Sequence, residues 1–437
     1  MIGKRKRQKR LLRHRWRRRV EQAFPRLKNW PAQLRRLLLR KTTFIAITGS
    51  CGKTTTTRLA VAMLATGGPC FRRGRGNVLS SSLRTVLSVP ASSKFCVQEV
   101  SAFPLGTIKK HIRVLRPHIA IVTTIGSDHY KAFRGLEGAA REKGQLVESL
   151  PRQGIAILNA DDPHVRAMAM RTRAKVITFG LSPDADIRAT EVSSVWPDRL
   201  TLTVVHGHES LRVHTRLVGE HWVPSVLAAI ACGIACGVEL KACAKVLEKC
   251  DPVFGRYSIH AKPEGPVYVL DIRKAPLWTI ASGLAFVERA KAPRKTIVFG
   301  TISDYPGKGG RQYRKVAREA LDAADRVVFV GPNAARVSKL CQGELRERLF
   351  AFQTCYQASS FLAEKTVPQE LIYIKASITD HLERIMLSQL DEVVCWRERC
   401  RKLANCYRCR NYRRPHAPSF GLANQLDDVP NLESELS

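Results

Sequence analysis

Apolar and polar positions change rhythm several times along the chain. Between residues 42 and 252, short β-branched runs alternate with stretches of helical periodicity. TFIAI (43–47), FCVQEV (95–100), IAIVTT (119–124), IAILN (155–159) and KVITFG (175–180) read as strands. Helical patterns fall between them, near 54–66, 105–115 and 137–150. This alternation predicts a parallel sheet with crossover helices. IRATEV, RLTLTVV and LRVHTRL, between 187 and 217, alternate with period two and predict an antiparallel addition. Two helices are expected next, over 222–236 and 239–249. A second α/β segment starts near Asp251–Arg256, with strand runs VYVLDI (267–272), TIVFG (296–300), RVVFVG (326–331) and ELIYIKA (370–376). The expected fold is α/β throughout: a central domain over 42–252 and a C-terminal domain over 253–393. No internal repeat is evident.

The two ends break this rhythm. In residues 1–41, Trp16, Val20, Phe24, Leu27, Trp30, Leu34 and Leu38 recur every three or four positions among arginines, interrupted by Pro25 and Pro31. That predicts a basic, partly helical, amphipathic arm. It suits an anionic membrane, a nucleic acid, or packing onto the next domain. From 394 to 437 the chain turns Cys/Arg-rich and then acidic.

Charge sharpens the picture of the arm. The formal net charge is +36, and residues 1–41 hold 17 Lys/Arg against the single acid Glu21. Such a balance attracts polyanions, although an arginine-rich composition alone also raises it. The longest nearly continuous apolar run, Val226–Val238, is too short to span a bilayer. No apolar segment of the secretory type follows the basic start. Thirteen cysteines, an odd number, suit free thiols in a reducing cytoplasm better than a disulfide framework. Cys395, Cys400, Cys406 and Cys409 could hold zinc, but only one CxxC is present, so an unstructured basic tail is the favoured reading.

The chemistry starts at ITGSCGKTTTTRLA (47–60). A strand runs into Gly49, Ser50, Cys51, Gly52, Lys53, Thr54 and Thr55, and a helix follows. Glycines let backbone N–H groups converge on phosphate oxygens, and the helix N-terminus adds its positive end. Lys53 can reach the β- and γ-phosphates of ATP, and the Thr54 hydroxyl can ligate Mg²⁺. A full Walker loop would need glycine at Ile47, so this loop is a shortened form.

Further motifs follow in order: Gly76-Asn77; Glu99 at a strand end; the block RPHIAIVTTIGSDHYKAFRGLEGAAREKGQLVESLPRQGIAILNADDP (116–163); Gly219-Glu-His221; Gly255-Arg256; and Lys375-Ala-Ser377 with Glu383-Arg384. Taken singly, each has an ordinary structural explanation. Together, over about 42–390, they resemble the Mur ligase family. Within that family they resemble most the members that add D-alanyl-D-alanine to a UDP-muramoyl peptide. The resemblance implies a P-loop central domain followed by a Rossmann-like C-terminal domain. It implies an ATP-dependent acid–amino acid ligase working through an acyl phosphate, in or near peptidoglycan synthesis. Its substrates would be ATP, a carboxylate, and an amino acid or dipeptide. Thr54 and Glu99 would hold one Mg²⁺. His129 and Lys143, the latter carbamylated, would hold a second, making Lys53, Lys143 and His129 the catalytic set. Asn159 and Asp161-Asp162, in the LNADD motif, would lie near the nucleotide.

Departures from the family pattern set the alternatives. Trp222 and Ser225 stand where the family's G-x-H-N-x-x-N has asparagines, and Arg273 and Lys274 interrupt an Asp-containing stretch from Asp271 to Pro276. The phosphate loop begins at residue 48, so the family's UDP-binding N-terminal domain is expected to be absent, and a partner protein could supply substrate binding. A degenerate binding or regulatory protein is one alternative. A nucleic-acid-dependent P-loop NTPase, suggested by charge, is the other.

Overall fold

The computed structural model describes residues 29–74, 76–127, 133, 135–398, 400, 402–403, 405–409 and 412. Contacts divide the chain into two units: Met1–Ile125, Glu137–Phe179 and Ala228–Glu239 form the first, and Gly126–Leu136, Gly180–Leu227 and Leu240–Ser437 form the second.

The first unit is built on parallel strands: β1 (Thr43–Thr48), β2 (Cys70–Phe71), β3 (Phe95–Glu99), β4 (Ile119–Val122), β5 (Ile155–Asn159) and β6 (Lys175–Gly180), in the order β2-β3-β1-β4-β5-β6. Ile45 pairs with both Val97 and Ile119, which centres β1. The residues of β3 and β4 are all buried, as expected of strands covered on both faces. The chain runs from β1 out to β3, then crosses back to β4 on the other side of β1. That reversal opens a crevice at the carboxyl end of β1, where open α/β sheets bind ligands. Helices α1 (Trp30–Leu38), α2 (Lys53–Thr66), α3 (Leu79–Ser88), α4 (Thr107–Leu115) and α5 (Leu136–Glu148) accompany these strands.

Helix α1 corrects the expected apolar stripe of the arm. Trp30, Leu34 and Leu38 are exposed, whereas Ala32, Arg36 and Leu39 are buried. Arg36 explains the inversion. Its guanidinium donates to the carbonyls of Leu115 (2.6 Å) and Arg116 (2.8 Å) and lies 4.0 Å over the Phe44 ring. A cation at the carboxyl end of α4 satisfies its orphan carbonyls. Burial lowers the Arg36 guanidinium to about 10. The arm's positions Trp16 to Leu27 lie outside the described residues.

The packing of α3 on α4 supplies a pH test. His111 is wholly buried, with its Nδ1 2.7 Å from Ser82 Oγ. Burial pushes its pKa down from 6.5 to about 4. The unfolded chain therefore binds a proton here that the folded chain refuses, and stability falls as pH drops from about 6.5 towards 4. This one group is worth up to about 3 kcal/mol across that window. Urea midpoints at pH 7, 5 and 4 should fall less steeply for His111→Gln than for the wild type; equal slopes would refute the assignment.

The second unit begins with the expected antiparallel strands β7 (Ile187–Ser193), β8 (Thr201–His206) and β9 (Glu209–His214). In β8, buried Leu202 and Val204 alternate with partly exposed neighbours, matching the period-two pattern. Its second sheet contains β10 (Ser258–Ala261), β11 (Val267–Asp271), β12 (Lys295–Phe299), β13 (Arg326–Val330), β14 (Leu349–Phe352) and β15 (Leu371–Lys375), in the order β10-β11-β15-β12-β13-β14. Only the short β10 is antiparallel in this sheet. Glu370, fully buried before β15, accepts from Arg294 (2.9 and 2.6 Å), Arg326 (2.6 Å) and Thr296 (2.6 Å). A buried carboxylate with this many donors ties three strands together.

The tail also departs from expectation. Val393, Tyr407 and Tyr412 are buried in the core cluster of the second unit, and Tyr407 meets Phe254 edge to face at 4.8 Å. Aromatic side chains placed among the basic residues give this segment a hydrophobic anchor, so these described residues are packed, not an unstructured tail.

Candidate active site

The turn from β1 to α2 is shaped by two glycines. Gly49 has φ +144°, and a Cβ there would lie 2.0 Å from Thr123 Oγ1. Gly52 has φ +80° and caps α2. The loop is held against the residues after β4: Ser50 N donates to Thr124 O (2.7 Å), and Thr123 Oγ1 donates to Cys51 O (2.5 Å). Lys53 opens the helix and turns back, its Nζ 2.5 Å from Gly49 O and 3.5 Å from Ser50 O. One ammonium and the amino end of a 14-residue helix thus sit at the same turn. This combination attracts anions.

Strand β3 delivers the facing carboxylate. Glu99 Oε2 accepts from Thr54 Oγ1 at 3.1 Å, and Glu99 Oε1 pairs with Arg72 at 3.1 Å. Glu99 is only 4% exposed. A hydroxyl and a carboxylate side by side at the mouth of a phosphate-type loop form a hard-oxygen donor pair, which fits Mg²⁺. Behind Glu99, the Gln98 amide donates to Gly76 O (2.8 Å) and accepts from Thr85 (2.7 Å), so the Gly76-Asn77 turn is fastened to β3.

The block after β5 acts on the loop indirectly. Asn159 Nδ2 donates to Thr123 O (2.8 Å), and its Oδ1 accepts from Asp161 N (3.0 Å). Asp162 makes the larger set of bonds. Its Oδ2 accepts from Thr124 Oγ1 (2.9 Å) and Ile125 N (2.6 Å), while its Oδ1 accepts from His164 N and Val165 N. It therefore caps the following helical turn and ties that turn to the strand-end segment contacting the phosphate loop. Asp161 itself is exposed, and Thr55 is buried within α2.

Lys143 lies on α5 and is 1% exposed, buried where a helical lysine would ordinarily meet solvent. Beside it, Glu142 Oε1 accepts from Ile108 N at 3.2 Å. His129 lies outside the described residues. One positioning residue escaped the sequence reading: Arg72 sits in an arginine run with no signal of its own. The sequence places Asp162 with Asp161 in one motif near the nucleotide, and its bonds make it the residue of the two that ties the strand ends together.

In the second unit, the motif residues are mutually engaged. Lys375 Nζ lies 2.5 Å from Asp271 Oδ2, and Tyr373 donates to Tyr257 (3.0 Å) and Asp271 (3.5 Å). The His221 ring packs at 4.1 Å against Tyr257, tilted by 47°, and burial pushes its pKa down to about 3, so it is neutral. Gly219 is required there: it has φ +95°, and a Cβ would lie 2.4 Å from the His221 ring. Trp222, in place of an asparagine, is buried beside that ring.

Residues 47–233 match the family model described as the Mur ligase middle domain. A UDP-N-acetylmuramoyl-tripeptide--D-alanyl-D-alanine ligase of Mycobacterium tuberculosis (strain ATCC 25618 / H37Rv) is 29% identical over 315 residues, covering 70% of this chain and 61% of the relative. A UDP-N-acetylmuramate--L-alanine ligase of Stenotrophomonas maltophilia (strain K279a) is 35% identical over 218 residues, covering 48% of this chain and 43% of that protein. The chain thus spans about six-tenths of the length of the first of these relatives. Among solved structures, MurF from Acinetobacter baumannii superposes with TM-score 0.75 at 24% identity, covering 83% of this chain and 79% of that one. MurF ligase from Thermotoga maritima, solved in complex with ADP, gives TM-score 0.69 at 19% identity, covering 82% of each chain. The middle-domain match runs through the turn that sets Lys53, Thr54 and Glu99 together, so residues 47–233 of this chain are similar to the middle domain of the Mur ligases.

Proposed function

We propose that this chain is an ATP-dependent ligase that joins a carboxylate to the amino group of an amino acid or dipeptide, in peptidoglycan-type synthesis. The observation that carries this reading is the Thr54–Glu99 pair beside the Lys53 loop, inside a matched Mur ligase middle domain.

In this reading the loop amides and Lys53 hold the phosphates of ATP, and Arg72 orients Glu99. Mg²⁺, held by Thr54 and Glu99, would neutralise charge as triphosphate and carboxylate approach. A carboxylate oxygen attacks the γ-phosphorus and the bond to ADP breaks, giving an acyl phosphate. The amine then attacks the acyl carbon, inorganic phosphate leaves, and the nitrogen releases its proton. Lys143 and His129 are assigned the second metal position, with Lys143 carbamylated so that a cationic amine becomes an anionic oxygen donor. Asn159 holds the loop in place, and Asp161 is assigned to the nucleotide.

The test is phosphate release from MgATP with a panel of acids and amines. The expected result is turnover only when a suitable acid and amine are both present. Release stimulated by RNA or DNA and indifferent to amines would overturn the reading. So would retained ATP binding without turnover for any pair, UDP-muramoyl peptides with D-alanyl-D-alanine included.

A further inference from the structure

The packed tail creates a second constellation, independent of the proposed ligase chemistry. His381 follows β15, Glu383 opens the helix Glu383–Leu390, and Cys406 arrives from 23 positions further along the chain. Cys406 N donates to Glu383 Oε1 at 2.9 Å, which fixes the tail against that helix. Cys406 Sγ then lies 3.5 Å from His381 Nδ1, and His381 Nδ1 lies 3.6 Å from Glu383 Oε1. All three donor atoms fall within 4.8 Å of one another.

We infer that His381, Glu383 and Cys406 form a zinc site that clamps the Cys/Arg-rich segment onto the second unit. The spacing fits the ion. With zinc–sulfur near 2.3 Å and zinc–nitrogen or zinc–oxygen near 2.0–2.1 Å, tetrahedral neighbours stand about 3.3–3.6 Å apart. The observed sulfur–nitrogen and nitrogen–oxygen separations reach that range with shifts of a few tenths of an ångström. The donor set is also selective. One imidazole, one thiolate and one carboxylate suit zinc, whereas Mg²⁺ and Ca²⁺ call for oxygen alone. Binding displaces the thiol proton to solvent, and water completes the fourth position.

The scaffold around the donors is built to hold them. His381 and Glu383 are each 2% exposed. His381 has φ +53°, a left-handed conformation that a non-glycine residue keeps only when its surroundings impose it. Its carbonyl accepts from Arg384 Nε at 3.1 Å, and the same guanidinium donates to Cys395 O (3.1 Å) and Arg397 O (3.2 Å). Arg384, fully buried, thereby fixes both the histidine and the incoming tail. This ligand set differs from the four-cysteine set suggested by spacing. Cys409 Sγ accepts from Lys402 Nζ at 3.3 Å, and Cys400 lines a cavity of about 410 Å³ with Cys355 and Glu398.

The test is the metal content of the full chain purified under reducing conditions, followed by Co²⁺ titration of the metal-stripped protein. Wild type should retain stoichiometric zinc and develop a thiolate-to-cobalt charge-transfer band. Cys406→Ser should lose that band, and Cys406→Ser and His381→Gln should each weaken zinc binding by at least about tenfold. Cys395→Ser and Cys400→Ser should retain the metal. The inference is overturned if wild-type protein holds no zinc and shows no charge-transfer band with Co²⁺, a result that needs no variant to fold. It is equally overturned if Cys406→Ser binds zinc as tightly as wild type.

Discussion

Lys53→Ala is expected to lower ATP turnover by about 10²–10³-fold while leaving the fold intact. The lysine is the first residue of α2, and its ammonium reaches back to within 2.5 Å of Gly49 O. A fixed positive charge there costs no reorganisation when negative charge shifts between phosphate oxygens, and losing one such group typically costs a factor of that size. The fold should tolerate the change because the side chain is partly exposed and its ammonium reaches back to the carbonyls of its own loop. Lys53→Arg should fail to rescue, since a planar guanidinium cannot fold back within the same turn as a compact ammonium does. Steady-state phosphate release, with circular dichroism as the folding control, decides the matter. A turnover number within tenfold of wild type would remove Lys53 from the proposed phosphate cradle.

What could be read beforehand followed from burial. Strands β1, β3, β4 and β5 are covered on both faces and so appear as unbroken apolar runs such as TFIAI and IAILN. Strand β2, with two residues, and β10 and β14, with four each, carry too little pattern to separate from loop. Helix α3 was missed because its serines blur the apolar face, although Ser82 and Thr85 are buried and hydrogen-bonded. The inverted face of α1 had no local signal. An arginine is buried there only because two carbonyls from residues 115 and 116 await it. The same limit governs the site. The motif residues Thr54 and Glu99, 45 positions apart, could be paired only through a family pattern. Arg72 and Cys406 acquire their partners through tertiary packing, which spacing along the chain does not encode.

Lys375→Met should destabilise the second unit by about 3–5 kcal/mol, because it strands a buried carboxylate. Asp271 and Lys375 occupy facing register positions at the carboxyl ends of β11 and β15. Their side chains are 6% and 4% exposed, and the ion pair measures 2.5 Å. Without the ammonium, Asp271 keeps the Tyr373 hydroxyl at 3.5 Å, too long to compensate a desolvated charge. Replacing both partners is a different experiment. Asp271→Leu with Lys375→Met removes both desolvation costs, so the double variant should recover most of the loss. His221 offers a local readout that overall destabilisation would not mimic. Lys375 lowers its pKa and Asp271 raises it, so Lys375→Met should move the His221 titration upward from about 3, whereas the double variant removes both influences. Urea denaturation followed by far-ultraviolet circular dichroism measures the first effect, and NMR titration of the histidine ring measures the second. A single-variant cost below about 1 kcal/mol, or a double variant as unstable as the single, would mean that the pair is not the buried, mutually dependent unit the geometry describes.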